Sequence, residues 1–179
     1  MAEIDDDDAR DHVARIQEEW ARERPDVDVS PQGVIGRLHR VAAHLTAELA
    51  GVFEAFGLSA GEFDVLAALR RAGEPFARTP SELAESTMIT SGGLTKRVDR
   101  LEEAGLVERR TSERDARSRV VRLTEQGRAL VDRALEAHMA NEHRLLAVLD
   151  PDDRAALESI LTRWLRAAGG ETPAAREGR

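Results

Sequence analysis

Residues 79–124 read TPSELAESTMITSGGLTKRVDRLEEAGLVERRTSERDARSRVVRLT, and this stretch decides the fold. It opens with a strong signal for the start of a helix. Thr79 can cap the first turn, Pro80 suits the first helical position, and Glu82 can return a hydrogen bond to the cap. The pattern predicts a short helix over Pro80–Glu85.

A second helix follows after a turn of a few residues. Leu94, Val98 and Leu101 recur at steps of three and four, which places them on one helix face, and Gly105 ends the helix. The opposite face is polar and available to a partner. It carries Ser91, Thr95, Lys96 and Arg100. Two helices joined by a short turn form a helix-turn-helix pattern.

The segment after this helix predicts a β-hairpin. Residues 106–111 and 119–123 have strand character, and the highly charged residues 112–118 between them form an extended tip. A hairpin in this place is the wing of a winged helix-turn-helix lobe. The predicted fold class is therefore mainly α with a small β-hairpin wing, together with a helical dimerisation region.

The sequence before this lobe predicts further helices. Residues 8–24 predict a first helix that carries Trp20, and residues 32–56 predict a longer helix with one continuous apolar stripe. Ser59 and Glu62 form a capping box that begins the next helix.

After the hairpin, Thr124 caps a long helix to about Leu149, and Asp150 begins a final helix that ends before Gly169. The apolar stripe on the long helix over residues 32–56 needs a partner to cover it. The predicted divisions are an acidic tail, N-terminal dimerisation helices, the DNA-binding lobe, C-terminal dimerisation helices and a second tail, over residues 1–7, 8–56, 57–123, 124–168 and 169–179. Both tails are predicted to be disordered.

Composition limits the classes of function. The chain has no cysteine, which excludes disulfides, thiolate metal sites and thiol-based redox sensing. Its net charge is -8, yet residues 109–122 hold six arginines and only two acidic residues, a local charge of +4. Positive charge is therefore concentrated on the predicted hairpin, where DNA can bind while the rest of the surface repels it.

Other classes lack their sequence signals. No apolar stretch approaches the roughly 18 residues that a membrane span needs, and the acidic run from Asp5 to Asp8 is unlike a basic secretory leader. We therefore expect a cytoplasmic protein with no membrane partner. A Gly-rich phosphate loop, a nucleophile elbow and a metal-ligand cluster are all missing, so we expect no enzyme, no cofactor and no bound metal.

The ordered motifs resemble the multiple-antibiotic-resistance regulators, the MarR family, over roughly Val34–Ala168. The sharpest match is Asp115-Ala-Arg117-Ser-Arg-Val-Val-Arg-Leu123-Thr124, which fits the wing signature of that family: Asp-x-Arg, five residues, then Leu-Thr. The resemblance implies a dimer with interleaved terminal helices that binds a pseudo-palindromic operator in double-stranded DNA. It also implies repression of transcription until a small molecule binds.

The exposed residues of a recognition helix read base edges in the major groove, and arginine is attracted into a narrow minor groove. By resemblance, Arg117 is the inserted wing residue and Asp115 orients it. The predicted DNA contacts are Ser91, Gly92, Thr95, Lys96, Arg100, Arg110, Arg114, Asp115, Arg117 and Arg119. The alternative is that Ser91 only caps its helix, that Lys96 is only solvated, and that the hairpin is an ordinary charged turn.

Within the MarR family, a subset that responds to urate and related anions has an extra N-terminal helix with a tryptophan, an aspartate and two arginines. Trp20, Asp64, Arg97 and Arg109 occupy the matching places. Two guanidinium groups can hold a planar anion while Trp20 covers its face. The resemblance implies a urate-like ligand; other purines, tricarboxylates and aromatic acids stay open. Alternatively, Asp64 and Arg97 form only an ion pair and Trp20 is only a hydrophobic anchor.

Two further alternatives remain at this point. His39 and His44 lie on a predicted dimer-core helix, where either could meet its two-fold mate and sense pH. Their spacing of five turns the side chains about 140° apart on a helix, which does not suit a shared metal site. The chain could also be a helical dimerisation module that reads no specific DNA sequence.

Overall fold

The computed structural model describes residues 11–87, 91–111 and 119–169, with the backbone alone described at Ser91 and Gly92. Within these residues the elements are, in chain order, α1 (His12–Glu23), α2 (Gln32–Glu54), α3 (Ala60–Arg71), β1 (Ala77–Arg78), α4 (Pro80–Ser86), α5 (Ser91–Glu103), β2 (Val107–Thr111), β3 (Arg119–Leu123), α6 (Glu125–Leu145), a 3-10 turn (Leu146–Val148) and α7 (Pro151–Ala167). No helix in the described ranges combines the length and hydropathy that crossing a membrane requires. Residues 1–7 and 170–179 of the two predicted tails lie outside the described residues.

The chain divides into two compact units, one ending at Glu48 and the other starting at Leu49. In the first unit, α1 begins at His12, four residues later than predicted, because Asp11 is extended and accepts a hydrogen bond from the Ala14 amide at 2.8 Å. The same carboxylate receives the Arg37 guanidinium, with Nε–Oδ2 at 2.6 Å and Nη2–Oδ1 at 2.9 Å. A fork of this kind ties α1 to α2.

Close packing joins the two helices of the first unit. Val13 is buried against Gly36, where an added Cβ would lie 3.1 Å from Val13 Cγ1. Gln17 Nε2 donates to the Val29 carbonyl at 3.1 Å and so holds the connecting loop. The predicted helix with Trp20 is therefore present, and it packs on α2 at Gly36.

The core of the second unit is built around α3, which packs against α5, α6 and β3. Its start follows the sequence prediction. The Ser59 hydroxyl accepts from the Glu62 amide at 3.3 Å, and Glu62 Oε2 accepts from the Ser59 amide at 2.8 Å. The α3 side chains buried in this core are Phe63, Val65, Leu66, Ala67, Ala68 and Leu69.

The wing belongs to a three-stranded antiparallel sheet with the order β1-β3-β2. The predicted strand pair is confirmed, with Val107 opposite Leu123 and Thr111 opposite Arg119. Strand β1 was not predicted, because its two residues carry no pattern of their own. It forms by pairing with β3, with Ala77 opposite Arg122.

Helices α6 and α7 follow the predicted order. The Thr124 hydroxyl caps α6 by accepting from the Gly127 amide at 3.0 Å. The helix ends at Leu145 and passes into the 3-10 turn, so the predicted end near Leu149 is slightly late. Helix α7 starts at Pro151 with the Asp150 cap and has no buried residue within the single chain.

Candidate nucleic-acid interface and ligand site

The short helix α4 is fixed at both ends by side chains. The Thr79 amide donates to Glu82 Oε2 at 2.7 Å, and Pro80 stands in the first turn. Leu83 is fully buried, and the hydroxyl of the buried Thr87 donates to its carbonyl at 2.7 Å. The first helix of the helix-turn-helix is thereby anchored to the core.

Helix α5 presents one polar face to solvent. Leu94, Val98 and Leu101 are only 6%, 4% and 2% exposed, so they fix the rotation of the helix about its axis. Thr95, Lys96 and Arg100 point away from the core and are exposed. Of the side chains predicted on this face, Ser91 is not described.

The wing strands direct their arginines to two sides of the sheet. Arg110 lies opposite Val120, whereas Arg109 shares the other face with the buried Val121, and Arg119 lies on that same face. The predicted DNA contacts Arg110 and Arg119 therefore point to opposite sides of the hairpin. The predicted contacts at the wing tip, Arg114, Asp115 and Arg117, lie outside the described residues.

Arg110 is paired with an acid on its own strand. Its Nη2 lies 2.8 Å from Glu108 Oε2, and this contact raises the pKa of Arg110 and lowers the pKa of Glu108. Arg110 is exposed and Glu108 is only partly buried, so the pair is weak and a phosphate can compete with Glu108.

A second ion-pair cluster joins the wing to α5. The Arg109 guanidinium contacts both Asp99 and Glu102, and the Arg109 amide donates to Glu102 Oε1 at 3.0 Å. Its hydrogen bond to Asp99 is the main cause of the raised pKa of Arg109, which Glu102 raises further. We call these three residues the wing clamp. The sequence analysis missed Asp99 and Glu102, although two acids three apart on one helix face were a usable signal.

Arg97 lies on a different side of α5 from the wing clamp. Its side chain crosses Gly61 on α3, where an added Cβ would lie 2.9 Å from both Arg97 Cδ and Cζ. Arg97 and Asp99 are two residues apart, about 200° around the helix. The structure therefore holds Arg97 against α3 and Arg109 on another flank of α5, so these two predicted ligand residues have different neighbours.

The other predicted ligand residues are Asp64 and Trp20. Asp64 is partly buried on α3, one turn beyond Gly61, and so shares the helix face that Arg97 covers. Trp20 lies on α1 in the first unit and is 47% exposed. The alternative of a plain Asp64–Arg97 ion pair stays open beside the ligand site.

The histidines occupy contrasting surroundings. His39 and His44 are exposed on α2. His138 on α6 instead packs against Phe53 and Phe63, with ring centroids 5.1 and 5.3 Å away, and its Nε2 lies 3.2 Å from Glu142 Oε1. In the described part of the chain, no three His, Asp or Glu side chains cluster as metal ligands.

Comparison with known proteins identifies the lobe. The sequence profile of the MarR family matches residues 56–118. The HTH-type transcriptional regulator PecS of Dickeya dadantii is 43% identical over 151 residues, which cover 84% of this chain and 91% of that protein. The chain belongs to the MarR family. It is a DNA-binding transcriptional regulator of the helix-turn-helix type and not an enzyme.

Solved MarR-family structures confirm the winged-helix fold. A mutant of MarR from E. coli in complex with operator DNA matches with a TM-score of 0.65 and 30% identity, covering 78% of this chain and 99% of that one. BpsR of Bordetella bronchiseptica, whose DNA binding is regulated by 6-hydroxynicotinic acid, matches with a TM-score of 0.63 and 27% identity, covering 73% and 91%. Structures similar to this chain thus include a protein bound to operator DNA and one whose DNA binding is regulated by 6-hydroxynicotinic acid.

Proposed function

We propose that this MarR-family protein is a homodimeric repressor that binds a pseudo-palindromic operator and releases it when a small planar anion of the urate type binds. The observation that carries the proposal is the exposed polar face of α5, held beside an arginine-rich wing by the wing clamp. Its place of action would be the cytoplasm, because the operator DNA lies there.

The proposed DNA surface combines α5 and the wing. Thr95, Lys96 and Arg100 can reach base edges and phosphates in the major groove. The wing clamp fixes the spacing between this helix and the hairpin, so both can engage one duplex. Ser91, Gly92, Arg110, Arg119 and the tip residues Arg114, Asp115 and Arg117 complete the proposed contacts.

The proposed dimer uses the helices outside the lobe, in the two regions predicted for dimerisation, residues 8–56 and 124–168. Helix α7 exposes a row of apolar side chains: Leu157, Ile160, Trp164 and Leu165. Helix α2 exposes a second row: Val34, Ile35, Leu38 and Val41. Large exposed apolar surfaces mark interaction sites. A second copy related by a two-fold axis would cover them and set two lobes about one DNA turn apart.

An open groove that shares Ile35 with the apolar row of α2 also supports a packing surface on that helix. It has a volume of about 570 Å³ and lies between α1 and α2 in the first unit, lined by Val13, Ile16, Pro31 and Ile35 among others. Its largely apolar lining favours helix packing.

The proposed ligand response centres on Arg97, Asp64 and Arg109 in the second unit; Trp20 belongs to the set by the sequence resemblance alone. The Arg109 guanidinium already bonds to Asp99 and Glu102, so an anion that recruits Arg109 must compete with the wing clamp. Arg97 belongs to the DNA-reading helix α5, so an anion that binds its guanidinium where α3 holds it would shift α5 away from its DNA-binding position. Release depends on the difference in ligand affinity between the two arrangements; a tenfold loss of DNA binding needs about 1.4 kcal/mol.

The test is an operator titration. DNA selected from a random library is titrated with the dimer at fixed salt, and urate, a tricarboxylate and an aromatic acid are then added in parallel. We expect urate to release the DNA and Arg97→Ala to abolish the release; Arg163→Ala on α7 is the matched control. Specific binding that ignores every ligand would refute the ligand response. Binding without sequence preference would refute the regulator in favour of a dimerisation module.

A pH response is the second candidate, because His39 and His44 are exposed on the same helix as the apolar row of α2. If that row meets its two-fold mate, protonated histidines would repel each other and lower operator affinity at acidic pH. An operator affinity that stays constant from pH 8 to pH 5 would eliminate this candidate.

A further inference from the structure

We infer that Gly61 is a positioning residue for Arg97, because its missing side chain forms the seat that holds this guanidinium against α3. For the ligand response, the inference rests on the proposed function. For the position of Arg97 on the DNA-reading helix, it stands independently.

The seat is defined by the approach of Arg97 to the helix backbone. A Cβ built on Gly61 would lie closer to Arg97 Nε than Cβ atoms approach other atoms in proteins, and 2.9 Å from Cδ and Cζ. Both the end of the Arg97 stem and its charged head therefore cover the Gly61 backbone. Any larger residue at position 61 would fill this space.

The backbone itself does not require glycine at this place. Gly61 lies in the first turn of α3, and it is not among the described glycines with positive φ, which are Gly57, Gly73, Gly105 and Gly169. An alanine could adopt the same helical conformation. What an alanine would displace is the Arg97 side chain, so the requirement for glycine comes from Arg97.

Neighbouring charges show what the seat controls. Arg100 Nη1 lies 4.0 Å from Glu62 Oε1, beside the seat, and Asp64 follows one turn later on α3. Two arginines of the DNA-reading helix thus meet the first turn of α3. Seating Arg97 holds its guanidinium in one orientation before any ligand arrives, which lowers the ordering cost of binding an anion.

Gly61→Ala should therefore move the Arg97 guanidinium without removing its charge. The crowded atoms belong to the flexible end of Arg97, so Gly61→Ala can be accommodated by another Arg97 rotamer while the fold stays intact. Helix α5 keeps its full charge in this variant. Any change in ligand response then reports the position of the guanidinium.

The experiment is a double-mutant cycle on the full-length protein with wild type, Gly61→Ala, Arg97→Ala and the double variant. Gly51→Ala is the matched control, because a Cβ at Gly51 in α2 meets nothing within 4 Å. The Tm, the operator affinity and the urate concentration for half-release are measured for each protein.

We expect Gly61→Ala to raise the Tm by about 2 °C in the Arg97→Ala background, as helix propensity alone would, and to give no such rise when Arg97 is present. With Arg97 present, Gly61→Ala should also raise the urate concentration for half-release about tenfold. The Gly51→Ala control should leave that concentration unchanged.

Equal Tm changes in both backgrounds would overturn the seat. If the Tm effect of Gly61→Ala depends on Arg97 but the urate response does not change, the seat has no role in ligand binding. If the wild-type protein ignores urate, the proposed function fails for that ligand, and operator affinity decides the inference instead. An effect of Gly61→Ala on operator affinity that vanishes in the Arg97→Ala background supports it, and an effect that persists refutes it.

Discussion

Gly127 in the first turn of α6 lies directly against the Leu106 carbonyl at the start of the wing, with no side chain between the two backbones. A Cβ on Gly127 would overlap the Leu106 oxygen and lie 2.8 Å from its carbonyl carbon. The Thr124 hydroxyl reinforces this junction by donating to the Gly105 carbonyl at 2.7 Å. The helix that leads into the proposed dimer region is thus fitted onto the DNA-binding lobe through backbone contact.

We therefore predict that Gly127→Ala destabilises the protein. The obstructing atoms belong to the backbone and cannot rotate away, so the cost should be about 1 to 3 kcal/mol. Chemical denaturation monitored by circular dichroism measures it, with Gly51→Ala as the open-space control. Equal midpoints for Gly127→Ala and wild type would show that the junction can relax.

Weakening the wing clamp should lower the selectivity of the protein for operator DNA. Glu102→Gln weakens the tie between Arg109 and α5, so the wing and the recognition helix lose their fixed spacing. Because the clamp is partly exposed, the stability cost should be below about 1 kcal/mol. The ratio of operator affinity to scrambled-DNA affinity should nevertheless fall.

The matched control for this change is Glu103→Gln, which removes the same charge from an exposed neighbour on α5. Both variants should gain affinity for scrambled DNA through the lost negative charge. Only Glu102→Gln should lose selectivity in fluorescence anisotropy titrations. Identical ratios for the two variants would reduce the clamp to a charge effect.

The sequence was most informative where the deciding interaction is local. The starts of α3, α4 and α7 depend on caps at Ser59, Thr79 and Asp150, each bonded three residues along the chain. Periodicity likewise predicted the buried face of α5, because burial of Leu94 and Leu101 follows from helix geometry.

Features that depend on distant residues could not be predicted in this way. Strand β1 exists only through its pairing with β3, and the register of the hairpin decides that Arg109, not Arg110, faces α5. The contact between Gly61 and Arg97 likewise requires the packing of α3 on α5. Residue types suggested an arginine-based site, but the partners of each arginine come from tertiary structure.

Lys96 predicts a sequence-independent contribution to DNA binding. It is exposed on the polar face of α5, where an ammonium group can contact phosphate. Lys96→Ala should weaken binding to operator and to scrambled DNA by a similar factor. The slope of log K against log salt concentration should become less steep by about 1. Titrations at several salt concentrations measure the slope, and an unchanged slope would place Lys96 outside the interface.

Asp11 predicts an acid-sensitive attachment of α1. Its hydrogen bonds with Arg37, and then with the Ala14 amide, lower the pKa of Asp11 below its usual value of 3.8. A carboxyl with a lowered pKa in the folded state stabilises the fold above its usual pKa, and this stabilisation is lost as pH falls through the lowered value. Trp20 fluorescence in a Trp164→Phe background should therefore change in acid below pH of about 4.

Asp11→Asn is the test variant for this attachment, since the amide cannot titrate and binds Arg37 weakly. It should remove most of the acid-induced change and show the altered Trp20 signal already at neutral pH. Asp28→Asn is the control, because the pKa of Asp28 is also lowered but by the nearby Ser30. The same acid profile in Asp11→Asn as in wild type would assign the change to other groups.

A charged residue in the apolar row of α7 should dissociate the proposed dimer. Trp164 and Ile160 are 40% and 47% exposed in the single chain, and α7 buries no residue there, so the fold of one chain gains little from them. Ile160→Asp should therefore leave the helical content of the chain largely intact while dissociating the dimer. Analytical ultracentrifugation measures the mass, and Glu158→Asp on the same helix is the control. Because two linked lobes bind the operator far more tightly than one, operator affinity should fall by at least about 100-fold. A variant that stays dimeric and binds normally would move the dimer interface away from α7.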